Sequence, residues 1–247
     1  LCTPHSRVIA VDAATGQKRW EFDPKLQSPV GFKHWEHMTC RGVSYHDDTK
    51  YASAVIPAPA TTAAGAPAPA STAPLPAPAN VSTICPRRLF LPTADARLIA
   101  LDADSGKPCT DFGKDGTVDL RANIGPFTPG GYYSTSPPAV TRDLVIIGGH
   151  VTDNESTNEP SGVIRAYDVH DGHLVWNWDP GKPDDTAPIA ADETYTRNSP
   201  NVWSVFSVDE DLGMVYLPMG NQTPDQFAGD RTPTSEKYGA GIVALDI

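Results

Sequence analysis

The sequence has no run of 18 or more apolar residues and no stretch with the character of a signal-peptide h-region, so nothing within these 247 residues is expected to span or enter a membrane. Positive charge is scarce as well. With 19 Lys+Arg against 30 Asp+Glu the net charge is −11, and the basic footprint that nucleic acid or an anionic lipid surface requires is missing. A neutral substrate or a cation suits such a chain better. Cysteine is sparse: Cys2, Cys40, Cys85 and Cys109 show no C-x-x-C spacing, which argues against a zinc or thioredoxin-like reading. Four cysteines allow three full pairings, and spacing does not choose among them. Windows free of helix breakers are few, because 25 Pro and 20 Gly are spread along the chain, and the expected class is all-β.

What is present is a repeat. Val8-Ile-Ala-Val-Asp12-Ala-Ala-Thr15-Gly16, followed by Trp20, is echoed by Leu98-Ile-Ala-Leu-Asp102-Ala-Asp-Ser105-Gly106. The pattern returns as Val163-Ile-Arg-Ala-Tyr-Asp168 with Asp171, Gly172 and Trp176, one residue being inserted before the Asp, and a fourth copy begins at Ile242-Val-Ala-Leu-Asp246. Each copy reads as an apolar strand, a tight turn in which Gly supplies positive φ and Asp accepts hydrogen bonds from turn amides, and a second strand. Between copies lie further strand-length runs, Arg88–Pro92, Leu144–Gly148 and Met214–Pro218. The turn aspartates are 90, 66 and 78 positions apart, which are long but workable blade periods for a β-propeller with elaborate loops. The chain opens in the first apolar run and stops partway through the fourth copy, and so reads as a fragment of one propeller domain, of roughly three to four blades by this repeat count. Ala52 to Asn80 interrupts the pattern: 12 Ala and 7 Pro among 29 residues make it an inserted surface loop, expected to be extended and to carry no chemistry.

The turn pattern A-x-D-x-x-T-G-x-x-x-W resembles the tryptophan-docking repeat of quinoprotein alcohol dehydrogenases. Several segments are similar to the membrane-bound, pyrroloquinoline quinone (PQQ)-dependent glucose dehydrogenase branch: His37-Met-Thr-Cys40-Arg41-Gly-Val-Ser-Tyr-His46, Cys85–Pro92, Thr135-Ser136-Pro-Pro138, Val151-Thr-Asp153-Asn154, Glu159–Arg165, Asn198-Ser-Pro-Asn-Val-Trp203 and Tyr216–Gly220. The resemblance covers nearly the whole chain apart from the Ala/Pro insertion. It implies part of an eight-bladed propeller holding PQQ and a divalent cation, Ca²⁺ or Mg²⁺. It also implies oxidation of D-glucose to glucono-1,5-lactone at the periplasmic face of the bacterial inner membrane, with ubiquinone as electron acceptor and a membrane anchor outside this chain.

Carried over residue by residue, the resemblance assigns Trp203 to stacking on the flat quinone, a role for which an indole face is suited; blade packing is the ordinary alternative. Asp153 and Asn154 would supply hard oxygen ligands to the cation, although Thr-Asp-Asn is also a common turn. Asn221 is a further metal ligand by analogy with related alcohol dehydrogenases, and Thr223 a substrate-pocket residue. Arg41 offers a planar fork for a PQQ carboxylate, against the alternative of a surface ion pair. His37 would lie near quinone and sugar as an auxiliary, with His46 more weakly supported, and Thr135 or Ser136 would bond a PQQ carboxylate or else cap a Pro-rich turn. The family's catalytic base, an aspartate of the following blade, is expected after Ile247. Quinate, shikimate or polyol oxidation by the same machinery is the alternative within the enzyme class. A non-catalytic repeat scaffold, which would carry the turns with no reason to carry Arg41, Asp153-Asn154 and Trp203 together, is the alternative outside it.

Overall fold

The computed structural model describes residues 1–29, 31–33, 35, 38–52, 82 and 84–247. The Ala/Pro segment expected to be a surface loop, and His37, fall outside the described residues apart from Ala52.

Short antiparallel strands dominate. A two-stranded sheet pairs β1 (Val8–Val11) with β2 (Lys18–Phe22). The next sheet has the order β3 (Ser44–Asp47), β4 (Arg87–Pro92), β5 (Arg97–Asp102), β6 (Thr117–Asp119), with a short helix α1 (Asp48–Ala52) after β3. Another two-stranded sheet pairs β7 (Tyr132–Tyr133) with β10 (His150–Val151), strands separated in the chain by two others. A second four-stranded sheet has the order β8 (Ala139–Val140), β9 (Leu144–Ile147), β11 (Ile164–Asp168), β12 (Leu174–Trp178). The last sheet joins β13 (Ser207–Asp209), β14 (Met214–Pro218) and β15 (Ile242–Asp246). Helix α2 (Pro233–Tyr238) lies in the β14–β15 connection, opened by a capping box between Thr232 and Ser235. None of the described helices is long and apolar enough to cross a membrane.

Strand alternation explains how the sheets pack. In β5, Leu98 and Ala100 join one apolar cluster while Ile99 and Leu101 join another. In β9, Val145 and Ile147 face the first cluster and Ile146 faces a third, with Ile164, Ala166, Val215 and Leu217. Each four-stranded sheet is therefore buried on both faces against its neighbours, the arrangement of radially packed blades.

The repeat turns follow one chemistry. The Asp12 carboxylate accepts from the Ala14 and Thr15 amides, Asp102 from Ser105, and Asp168 from His170 and Asp171. The glycine after each sits at φ +71°, +71° and +74°. Blades dock through these turns: the Trp20 indole N–H donates to the Ala103 carbonyl, and a Cβ on Gly106 would stand 2.5 Å from the Trp20 ring. The second copy has no Trp at the docking position, and Phe112 packs there instead, against Gly172 of the third turn. All four cysteines are paired, Cys2 with Cys40 and Cys85 with Cys109.

Candidate active-site cleft

Antiparallel pairing sorts the connections onto two rims. The segments that enter β3, β8 and β13 and those that leave β9 and β14 reach the same rim, where they line a cleft of about 310 Å³. It brings together Arg41, Thr135, Asp153, Trp203, Asn221 and Thr223, which lie far apart in sequence.

Trp203 is 48% exposed, an unusual state for an indole beside a blade core, and its ring is open to the cleft. Its carbonyl is held by three side chains: the Thr135 hydroxyl donates at 2.6 Å, the Ser136 hydroxyl at 2.8 Å and the Arg41 guanidinium at 3.4 Å. Arg41 also lies over the indole, 5.6 Å from the ring centroid, and makes no ion pair among the described residues. The hydroxyl protons of Thr135 and Ser136 are thus committed to positioning Trp203. Behind the indole the chain passes Gly162 so closely that a Cβ there would fall 1.9 Å from the Pro200 carbonyl oxygen. The glycine of the Pro-Ser-Gly-Val segment is what lets the segment leading to Trp203 lie where it does.

Oxygen donors collect in the same cleft. Asp153, Asn221 and Asn201 line the cleft together with Asp225. Asn201 is 4% exposed and its Oδ1 has no hydrogen-bond partner, a costly arrangement for a buried carbonyl unless a ligand uses it. Gly220 separates this oxygen from the indole: a Cβ there would be 3.3 Å from Asn201 Oδ1 and 3.2 Å from Trp203 Nε1. An acidic carboxylate with two amide oxygens is the donor set that Ca²⁺ or Mg²⁺ accepts, so these residues fit a hard cation placed beside an aromatic platform. The loop after β14 is tied to the loop after β10, with the Asp225 amide donating to Asp153 at 3.4 Å and the Gln226 amide to Asn154 at 3.3 Å. The Thr223 hydroxyl donates to Asn198 at 3.2 Å.

Two of the sequence-derived residues sit just outside the lining. Ser136 reaches the cleft only through the Trp203 carbonyl, and Asn154 is exposed, left-handed at φ +55°, with its side chain engaged by Gln226. His46 lies at the far end of β3, buried, away from the cleft. The cleft also contains Thr39, His150, Asn201 and Asp225, which sequence reading missed. Asn201 had a signal: it stands two residues before Trp203 inside the same quoted segment, and alternate residues of an extended chain share a side.

Comparison with known proteins converges on the same architecture. Residues 1–247 match the domain family described as PQQ: glucose/ethanol/alcohol dehydrogenase, β-propeller domain. The chain is 43% identical over 249 residues to quinoprotein glucose dehydrogenase A of Acinetobacter calcoaceticus, covering all of this chain and 28% of that protein. It is 38% identical to a quinate/shikimate dehydrogenase (quinone) of Acinetobacter baylyi, again over 100% of this chain and 28% of the relative. Among solved structures, the quinohaemoprotein alcohol dehydrogenase of Comamonas testosteroni superposes with a TM-score of 0.59 at 23% identity, over 100% of this chain and 31% of that one, a likeness of fold.

Proposed function

Given that this chain belongs to the family of PQQ glucose/ethanol/alcohol dehydrogenase β-propeller domains, we propose that it forms the cofactor- and cation-holding part of an enzyme that oxidises D-glucose to glucono-1,5-lactone. The chain spans 28% of the length of the glucose dehydrogenase it matches, and the remaining blades complete the site. The observation that carries the reading is the convergence of a half-exposed Trp203, the Arg41 guanidinium and the buried, unpartnered Asn201 oxygen in one cleft with Asp153 and Asn221.

Roles follow from the chemistry of each group. Trp203 provides a flat apolar face for the quinone rings, held at a set height by Thr135 and Ser136. Arg41, anchored by its contact with Trp203, presents free N–H groups to a ligand carboxylate. Asp153, Asn221 and Asn201 hold Ca²⁺ or Mg²⁺, with Asn154, next to Asp153 but outside the cleft lining, as a further oxygen donor. Thr223 faces the substrate side, and His37 serves as an auxiliary polar group near the sugar. PQQ, when bound, supplies the two-electron acceptor. The general base comes from a blade beyond Ile247, and the electrons pass on to ubiquinone. Placement at the periplasmic face of the inner membrane is supported by the two disulfides, which suit an oxidising compartment.

The test is reconstitution of the full-length protein with PQQ and Ca²⁺ or Mg²⁺, followed by dye reduction with glucose, quinate and glycerol in turn. Glucose-dependent reduction is expected. Quinate as the preferred substrate would establish the second reading, which the 38% identity to a quinate/shikimate dehydrogenase favours. Silence with all three substrates overturns the dehydrogenase assignment.

A further inference from the structure

The rim opposite the cleft carries a second constellation. Strand β3 pairs with β4 so that Asp47 meets Arg87, and β4 pairs with β5 so that Arg88 meets Asp102. The end of β3, the start of β4 and the repeat turns therefore share one side of the blades, and Arg41, before the start of β3, belongs to the other. On this far side His46 Nε2 lies 2.8 Å from Asp48 Oδ1, and His170 Nε2, from the turn after β11 in the neighbouring sheet, lies 2.9 Å from the same oxygen. The three ligand atoms are all within 4.8 Å of one another.

We propose that His46, Asp48 and His170 form a binding site for a transition-metal ion of the zinc class, separate from the cation of the cleft and joining two adjacent blades. Two imidazoles and one carboxylate oxygen make a borderline-soft donor set, which selects Zn²⁺, Co²⁺ or Cu²⁺ over the Ca²⁺ or Mg²⁺ that all-oxygen sites hold. Zinc–nitrogen and zinc–oxygen bonds of about 2.0–2.2 Å at tetrahedral angles place such atoms about 3.3–3.6 Å apart, so the two imidazole–carboxylate separations of 2.8 and 2.9 Å would open by roughly half an ångström, while the two imidazole nitrogens already lie within 4.8 Å of each other.

Two of the three ligands are oriented before any ion arrives. His170 Nδ1 faces Asp168 Oδ1 at 3.5 Å, the carboxylate–histidine–metal arrangement that turns Nε2 toward an ion. The second oxygen of Asp48 accepts from the Ser82 amide, and the His170 carbonyl accepts from Arg88, whose guanidinium is neutralised by Asp111 at 2.6 Å. A hydrogen-bonded triad alone is the rival account. It requires both Nε2 atoms to carry protons: a neutral His170 then turns its Nδ1 lone pair toward the Asp168 carboxylate, whereas a protonated His170 donates to Asp168 and Asp48 together. Metal ligation reverses this: both Nε2 atoms give lone pairs, and Nδ1–H donates to Asp168. The His46 side chain is fully buried and Asp48 nearly so, while His170 remains 20% exposed, leaving an entry path and a fourth position for water.

The experiment uses the full-length holoprotein, stripped of transition metals and kept in excess Ca²⁺ so that the cleft is occupied, and titrates it with Co²⁺. One equivalent is expected to give the visible ligand-field absorption of four-coordinate Co²⁺, displaced by Zn²⁺. His170→Ala lowers the affinity tenfold or more, and His173→Ala, in the same turn, leaves it unchanged. X-ray absorption of the zinc-loaded wild type, which needs no variant to fold, should show scattering from two imidazoles. Absence of Co²⁺ and Zn²⁺ binding by the wild type, equal affinity in His170→Ala, or a zinc shell without imidazole each overturns the site.

Discussion

At the scale of single residues, the two side chains that matter most are an indole that is too exposed and a carbonyl oxygen that is too buried. Trp203 keeps 48% of its surface open because Arg41, Thr135 and Ser136 fix its carbonyl while leaving its face clear. Trp203→Ala is expected to weaken PQQ binding about tenfold, as followed by the quinone absorbance of the bound fraction; unchanged affinity would reject the stacking role alone. Arg165 is a different case. It is fully buried and makes no ion pair among the described residues, donating instead to the Leu120 carbonyl at 2.8 Å and the Tyr132 hydroxyl at 2.7 Å inside a ring of Tyr132, Tyr167 and Tyr195. Arg165→Met should destabilise the chain by about 1–3 kcal/mol for each group left unpaired, read by urea unfolding. Asp12 shows what an exposed turn does to a carboxyl. The hydrogen bond from Arg19, with those from Thr15, lowers its pKa to about 2. A depressed folded value means that the interaction is intact above the ordinary carboxylate range and fades as pH falls through about 2. Arg19→Ala should move the Asp12 midpoint up in an NMR titration.

At the scale of elements, the blade turns and the segment behind the indole are set by backbone approach. Gly162 is the clearest instance, because the Pro200 carbonyl occupies the space where a Cβ would be. Gly162→Ala must displace residues 200–203, and with them both Asn201 and Trp203. Overpacking of this kind costs about 1–3 kcal/mol. The expected result is a loss of PQQ affinity at least as large as that of Trp203→Ala, with the far-ultraviolet circular dichroism of the sheets retained. A variant that bound PQQ as the wild type does would show that the cleft tolerates movement of this segment.

At the scale of the whole molecule, sheets buried on both faces are joined by few covalent constraints, and the disulfides supply two. Cys2–Cys40 closes a 38-residue separation that links the β1–β2 sheet to the segment entering β3, immediately before Arg41. Cys85–Cys109 closes 24 residues within the neighbouring blade. Loops of these lengths contribute about 3–4 kcal/mol each by limiting the unfolded chain. Reduction should lower the melting temperature, and Cys2→Ser with Cys40→Ser should in addition weaken PQQ binding, because the Arg41 segment loses its tie. Melting that was insensitive to reductant would show the bridges to be dispensable. The fold-level alternative of a scaffold without chemistry accounts for the turns and the packing but not for the cleft.

Much of this was legible in the amino-acid order. The Asp-x-x-Thr/Ser/Asp-Gly turns are local, since one Asp and one Gly four residues later determine the hydrogen bonds and the positive φ by themselves, and the strands before them alternate in the pattern that two-faced burial demands. Membership of the cleft was legible for Arg41, Thr135, Asp153, Trp203, Asn221 and Thr223 through the segments that resemble a known family. Tertiary structure alone decided the rest. That Thr135 and Ser136 spend their protons on the Trp203 carbonyl, that Asn201 is left with an unpartnered oxygen, that four cysteines pair as 2–40 and 85–109, and that His46 meets His170 across two blades all depend on side chains from separate blades arriving at one point. Spacing along the chain carries no record of such meetings, because they are fixed by how the sheets stack face to face.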